Sequence, residues 1–153
     1  MRKLRISALR ERFWPTPKDA IEHGPSSLQM PAGNWLLAWA DWSDASLTLG
    51  FRSHALHVQA SSDHEITVGF SDASGAPVNR IVDEDPVLVT SEGGDWILDR
   101  ERIVRQRMEL ELKSVSVHET SAQFLFSAGA PLLVTVHNDL DSGKAILIWF
   151  DLE

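Results

Sequence analysis

From Asn34 onward the apolar residues of this chain recur at every second position, which is the spacing of a strand with one buried and one wet face. Leu47, Leu49 and Phe51 alternate with Ser46, Thr48, Gly50 and Arg52; Leu56 and Val58 alternate with His57 and Gln59; Ile66, Val68 and Phe70 alternate with Glu65, Thr67 and Gly69. Further strands are expected at 87–90, 95–98, 106–117, 122–127, 131–137 and 144–152, separated by the turn-forming stretches SDASGAP, SEGGD and NDLDSG. Many short strands joined in this way predict a mainly β chain, an antiparallel sandwich or barrel with one or two short helices near the N-terminus. The expected organisation is a single β-rich domain over 1–153, with a basic, short helical segment at 1–24 and the sheet at 34–152.

Parity within the strands constrains the turns, because residues paired across a sheet must face the same side. On both arms of the hairpin joining 56–60 to 65–70 the inward positions are even-numbered, so its loop has odd length. A three-residue loop, Ser62 to His64, would pair Ser61 with Glu65 and Gln59 with Thr67. In the long strand, Met108, Leu110 and Leu112 share one parity and Val115 and Val117 the other, which predicts a β-bulge near Lys113–Ser114.

Two segments are apolar on both faces and need cover on both: NWLLAWADW at 34–42 and the stretch 144–152. The segment 99–107 reads either as strand or as helix, since Arg, Glu and Gln favour helix and Ile103 and Arg107 would lie one turn apart. Residues 16–24 read as a helix of one or two turns, with Thr16 as N-cap, Pro17 in the first turn, Asp19 and Glu22 near its positive end and Gly24 as the stop. Before it, Ile6, Leu9 and Phe13 fit a helical face and Leu4, Ile6 and Ala8 a strand face, and the sequence leaves that segment undecided.

Composition excludes several classes of function. There is no cysteine, so disulfides and thiolate metal sites are absent. No segment approaches the roughly 20 apolar residues of a membrane span, and the basic start lacks the apolar stretch of a secretory signal, so a cytoplasmic location is expected, with a transit peptide as the alternative. The net charge of −8 is unevenly spread. Residues 1–12 carry five basic groups against Glu11, whereas residues 13–98 carry twelve acidic groups against Lys18, Arg52 and Arg80. An acidic body of this kind repels phosphate backbones and attracts cationic proteins; its plainer reading is a solvated surface kept for solubility.

The signatures of catalysis are missing. The chain has no G-x-S-x-G, no G-x-G-x-x-G, no phosphate-binding loop and no H-E-x-x-H; Gly143–Lys144 is followed by Ala145. His54 and His57 are three apart, which places them on opposite faces of a strand and argues against a shared metal. His57, or His137 beside Asp139 and Asp141, could catalyse only with a carboxylate or nucleophile placed across the sheet. The run Asp83, Glu84, Asp85 before Pro86 is a solvated acidic loop by default and a docking site for arginine or lysine otherwise. Six tryptophans stand against no tyrosine. Trp35 and Trp149 belong to the doubly apolar strands, but Trp42 lies between Asp41 and Asp44, and Trp96 follows the acidic turn with Glu92 and Asp95. Tryptophans ringed by carboxylates are candidate anchors for a cationic surface, partial burial at the edge of the core being the plainer reading.

Gly33-Asn34-Trp35 resembles the G-x-W signature of lipocalin-type barrels, which implies an eight-stranded barrel around a small apolar ligand. In general character the chain also resembles the immunity proteins of bacterial polymorphic toxin and contact-dependent growth inhibition systems, small acidic cytoplasmic domains that bind and block a cognate toxin. The expected function is therefore non-enzymatic protein binding, with toxin neutralisation as its most specific form and Asp41, Trp42, Asp44, Asp83, Glu84, Asp85, Glu92, Asp95 and Trp96 as the partner-binding residues. The expected partner is a basic protein such as a toxin nuclease domain, with no direct contact to nucleic acid or membrane and no cofactor. The alternatives are a lipocalin-like carrier of a small ligand and an enzyme with a His/carboxylate site.

Overall fold

The computed structural model describes residues 1–7, 26–62, 65–72, 80–81 and 83–152. The chain is mainly β: β1 (Lys3–Arg5), β2 (Ser26–Leu28), β3 (Leu37–Trp42), β4 (Ser46–Phe51), β5 (His54–Ser62), β6 (Glu65–Asp72), β7 (Arg80–Ile81), β8 (Val87–Ser91), β9 (Gly94–Leu98), β10 (Leu112–His118), β11 (Ser121–Phe126), β12 (Leu132–Asn138) and β13 (Ala145–Asp151), with one helix, α1 (Arg100–Arg105), among the described residues. The strands form three sheets, ordered β6-β5-β4-β3-β7, β13-β12-β11-β10-β2 and β1-β8-β9. None closes into a barrel, and their face-to-face packing fits a sandwich. The pairing is mostly antiparallel, but β1 runs parallel to β8 and β7 parallel to β3. No described helix is long and apolar enough to cross a membrane.

The one-faced strands behave as their alternation dictates. Leu47, Leu49, Phe51, Leu56 and Val58 turn inward and are buried. β13 is buried along its length because it lies between two other sheets: Trp149 meets Trp42 of β3 edge-on at 5.4 Å, while Phe150, of opposite parity, meets Trp96 of β9 at 5.8 Å. β12 is equally buried, although it carries Thr135 and His137. These two polar side chains bond to each other instead of to water, Thr135 Oγ1 lying 2.9 Å from His137 Nε2.

Register follows parity with one adjustment. Gln59 pairs with Thr67 as expected, but after Ala60–Ile66 the register shifts and Ser62, not Ser61, opposes Glu65. The connecting residues 63–64 lie outside the described residues. Leu112 pairs with Phe126 and Ser114 with Leu125, so Lys113 is the extra residue of the expected bulge. The bulge resets parity, and Leu112 and Val115 both reach the core.

Elsewhere the structure differs from expectation. The segment 34–42 is not covered on both faces: β3 begins at Leu37, Asp41 is exposed and Trp39 only half-buried. Trp35 and Leu37 instead run beside the approach to β10, with Leu37 N donating to Leu110 O (3.0 Å) and Leu112 N to Trp35 O (3.0 Å). Trp39 lies on the outer face directly over Gly50, where its indole occupies the space of a Cβ. In the segment left open at 99–107 the helix forms: Asp99 caps it by accepting from Arg102 N (3.1 Å), and Ile103 and Val104 are buried. β10 accordingly starts at Leu112, later than the strand expected from 106. Leu4 and Ile6 are buried and Lys3–Arg5 is a strand, whereas the expected helix at 16–24 lies outside the described residues.

Two outcomes are expected. Gly50→Val displaces the Trp39 ring and destabilises the fold by about 1–3 kcal/mol, and Trp39→Ala added to Gly50→Val recovers part of that loss in urea unfolding. Burial holds the His137 imidazole down to about 4 from its usual 6.5, so the folded chain keeps it neutral. Its contribution to stability is complete above pH 6.5 and is lost as pH falls towards 4, because the unfolded chain takes up the proton first. The total is about 3 kcal/mol, and His137→Gln flattens this slope in denaturant midpoints measured across that range.

Candidate functional site

Two of the acidic segments singled out in the sequence meet at a buried cation. Arg100 opens α1 and its side chain is 1% exposed. Its guanidinium grips Glu84 in a two-pronged contact, Nε to Oε1 at 2.8 Å and Nη2 to Oε2 at 2.7 Å. Nη2 also donates to Asp44 Oδ1 at 3.3 Å and Nη1 to the Ser43 carbonyl at 3.4 Å. The Trp149 ring lies 5.9 Å from the guanidinium carbon. Arginine suits this position because its fixed fork of donors matches a carboxylate and keeps its charge out of water.

Asp44 is held from a second side. Arg2 donates to it through Nη1 (2.8 Å to Oδ2) and Nη2 (2.6 Å to Oδ1), and the Asp44 carbonyl accepts from Leu147 N of β13 at 2.7 Å. The bonds from Arg2 hold the Asp44 carboxyl below the usual carboxylate range, against the opposing effect of burial, and they raise the Arg2 guanidinium. The β3–β4 turn is thereby fixed to the edge of β13, to β1 and to α1.

The other expected residues fall in three places. Asp83 and Asp85 flank Glu84 and are exposed, and Asp41 is exposed on the outer face opposite Thr48. Trp42, expected as a surface anchor, is 8% exposed and packed against Trp149, so it presents no ring to solvent. Glu92 and Asp95 are exposed at the tip of the β8–β9 hairpin and Trp96 is half-buried on Phe150. β8, four residue steps or about 13 Å long from Val87 to Ser91, runs between the 83–85 loop and this tip. The acidic segments thus form two patches, one around Arg100 and one at the hairpin tip.

The histidines make other arrangements. His57 lies on the wet face between hydroxyls, 2.7 Å from Ser71 Oγ and 3.3 Å from Thr48 Oγ1. His54 stacks on Trp35 at 5.0 Å with its Nδ1 2.7 Å from Ser53 Oγ. That hydroxyl also accepts from Asn34 N (2.7 Å) and donates to Asn34 O (3.0 Å). A Cβ on Gly33 would collide with Ser53 and His54, so the Gly-Asn-Trp triplet has a local reason to exist: close approach at Gly33, a polar tie at Asn34 and ring stacking at Trp35. Among the described residues no group of three or more His, Asp or Glu side chains could hold a metal.

Sequence reasoning missed the cations. Arg100 and Arg107 are both buried, and Arg107 donates to Asp151 (2.6 Å), Ala130 O (2.8 Å) and Ile103 O (2.9 Å). Their only signal was their place in an amphipathic stretch, 99–107, whose apolar side carries them inward. Compared with known proteins, the chain matches no family, no curated sequence and no solved structure.

Because Arg100 cannot reach water whereas Glu84 and Asp44 partly can, removing the carboxylates costs more than removing the cation. Asp44→Asn combined with Glu84→Gln is expected to destabilise by about 3–5 kcal/mol in urea unfolding, and Arg100→Met by roughly half as much. Equal losses would show that the carboxylates do not stay solvated when unpaired.

Proposed function

We propose that this chain is a non-enzymatic, cytoplasmic protein-binding domain for a basic partner, most specifically an immunity protein that blocks a cationic toxin domain. The observation that carries this reading is the 83–85 loop. Glu84 is turned inward and pinned by Arg100, so Asp83 and Asp85 are held at the surface on either side of it. A carboxylate pair on a loop already anchored loses little freedom when a lysine or arginine docks, which favours binding. Asp44 and Glu84 balance Arg2 and Arg100, so the exposed Asp83 and Asp85 leave this end of the fold a negative excess that steers a cationic surface towards it. Trp42 has no part in the first contact, because it lies in the core.

Capture from the source cell followed by mass spectrometry tests the reading. A basic protein is expected to be retained at low salt by the parent chain, and the association rate of the purified pair is expected to fall by about tenfold or more between low and physiological salt. Asp83→Asn with Asp85→Asn slows association without altering thermal stability, and the captured partner's activity is blocked at one-to-one stoichiometry. Salt-independent association, or an unchanged association rate in the double variant, would overturn the proposal.

A further inference from the structure

The hairpin tip patch belongs to β9, which among the described residues has a neighbour on one side only, and the hydrogen bonds fix which residues face outward. Successive residues of a strand direct their N–H and C=O groups to opposite sides. Leu88 N donates to Arg2 O and Ile6 N donates to Thr90 O, both at 2.9 Å, so residues 88 and 90 face β1. Val87, Val89 and Ser91 therefore face β9, where they pair with Leu98, Trp96 and Gly94. The main chain of Asp95 and Ile97 is thereby turned away from β8, and among the described residues β9 has no second neighbour.

This edge is unusual in its side chains. Edge strands are commonly blunted by charge, proline or cover, yet Ile97 stands 51% exposed on β9. Beside it opens a cleft of about 320 Å³ whose walls include Trp96, Ile103 and Phe150. Asp95 and Glu92 make the same end acidic.

Resting on the reading of the domain as a binder of basic proteins, we propose that β9 takes up an extended segment of that partner as an added strand. Asp95 selects a lysine or arginine opposite it, and Ile97 selects an apolar residue two positions away. The residue between them, opposite Trp96, turns its side chain into the cleft. A second copy of this chain is disfavoured as the occupant, since it would bring its own Asp95, Glu92 and a net charge of −8 to an acidic edge.

The test uses the full-length chain, isotope-labelled, with an end-capped nine-residue peptide of repeating Lys-Val-Val-Val, which sets lysine opposite Asp95 and, two positions on, valine opposite Ile97. Amide exchange at Asp95 and Ile97, fast in the free protein, is expected to slow by about tenfold or more at saturation. Methylating alternate backbone nitrogens of the peptide, or substituting Ile97→Pro, is expected to weaken binding by about tenfold or more, since each removes outward main-chain bonds and leaves the β8 ladder intact. If Ile97→Pro impairs folding, the methylated peptide alone decides the matter. Equal binding of the methylated peptide, or failure of the parent peptide to bind, would overturn the proposal. Binding with perturbation at Asp83 and Asp85 but none at β9 overturns the added strand while leaving the acidic patch as the docking site. Equally tight, salt-independent binding of a threonine–valine peptide overturns the basic partner instead. Protection of Asp95 and Ile97 that rises with protein concentration alone assigns the edge to a second copy and overturns the proposal.

Discussion

A guanidinium removed from water must be surrounded by acceptors, and Arg100 meets that requirement only by gathering parts of the chain far apart in sequence. Glu84 comes from the loop before β8, Asp44 and Ser43 from the β3–β4 turn, and Trp149 from β13. The apolar layers on either side of β13 supply most of the driving force for folding, but apolar contact is tolerant of small displacements. The ion cluster is not, because a shift of one residue in the turn or the loop would leave a charge without a partner in a dry site. Arg107 repeats the device at the other end of α1, joining the helix to Asp151 and to the Ala130 carbonyl. Two buried cations thus set the alignment that the hydrophobic layers alone would leave loose.

This use of carboxylates changes how the acidic character of the chain should be understood. Asp44, Glu84 and Asp151 neutralise internal arginines, whereas Asp41, Asp83, Asp85, Glu92 and Asp95 face solvent. The inward acids give rigidity to the segments that carry the outward ones. Structure and surface chemistry are therefore coupled through neighbouring residues of one loop, with Glu84 facing in and Asp83 and Asp85 facing out.

Much of the sheet was legible because a strand wet on one face announces itself by alternation, as β4, β5 and β6 do. The bulge at Lys113 was legible for the same reason, since an inserted residue is the simplest way for parity to change within one strand. That β12 is buried on both faces was not legible, because Thr135 and His137 bond to each other inside the core and no local feature distinguishes that from solvation. At 99–107 the helix preference of Arg, Glu and Gln was legible, but the six residues of α1 show too little of a period to exclude a strand, and the Asp99 cap that fixes the helix was not read. The parallel partners of β1 and β7 were not legible at all, because strands of two or three residues carry too little pattern to specify a neighbour. In the candidate site, the places where charge concentrates could be read from the sequence. Which carboxylate would meet an arginine could not, because that depends on the topology that brings residues 2, 44, 84 and 100 together.

β1 has a consequence for how the molecule comes into being. It precedes its partner β8 by the whole of β2 to β7, and Lys3 must wait for Leu88 before it can join a sheet. Ile6 waits longer still, for the bridge to Asp139. Loop closures of this span are slow compared with the local hairpins of β3 to β6, which can assemble while β1 is still unpaired. Until β8 is in place, Lys3 and Arg5 of β1 stand unpaired, and their attraction to the acidic part of the chain favours the encounter that closes the sheet. The charge asymmetry between the two parts of the chain thus favours this long-range pairing as well as shaping the finished surface.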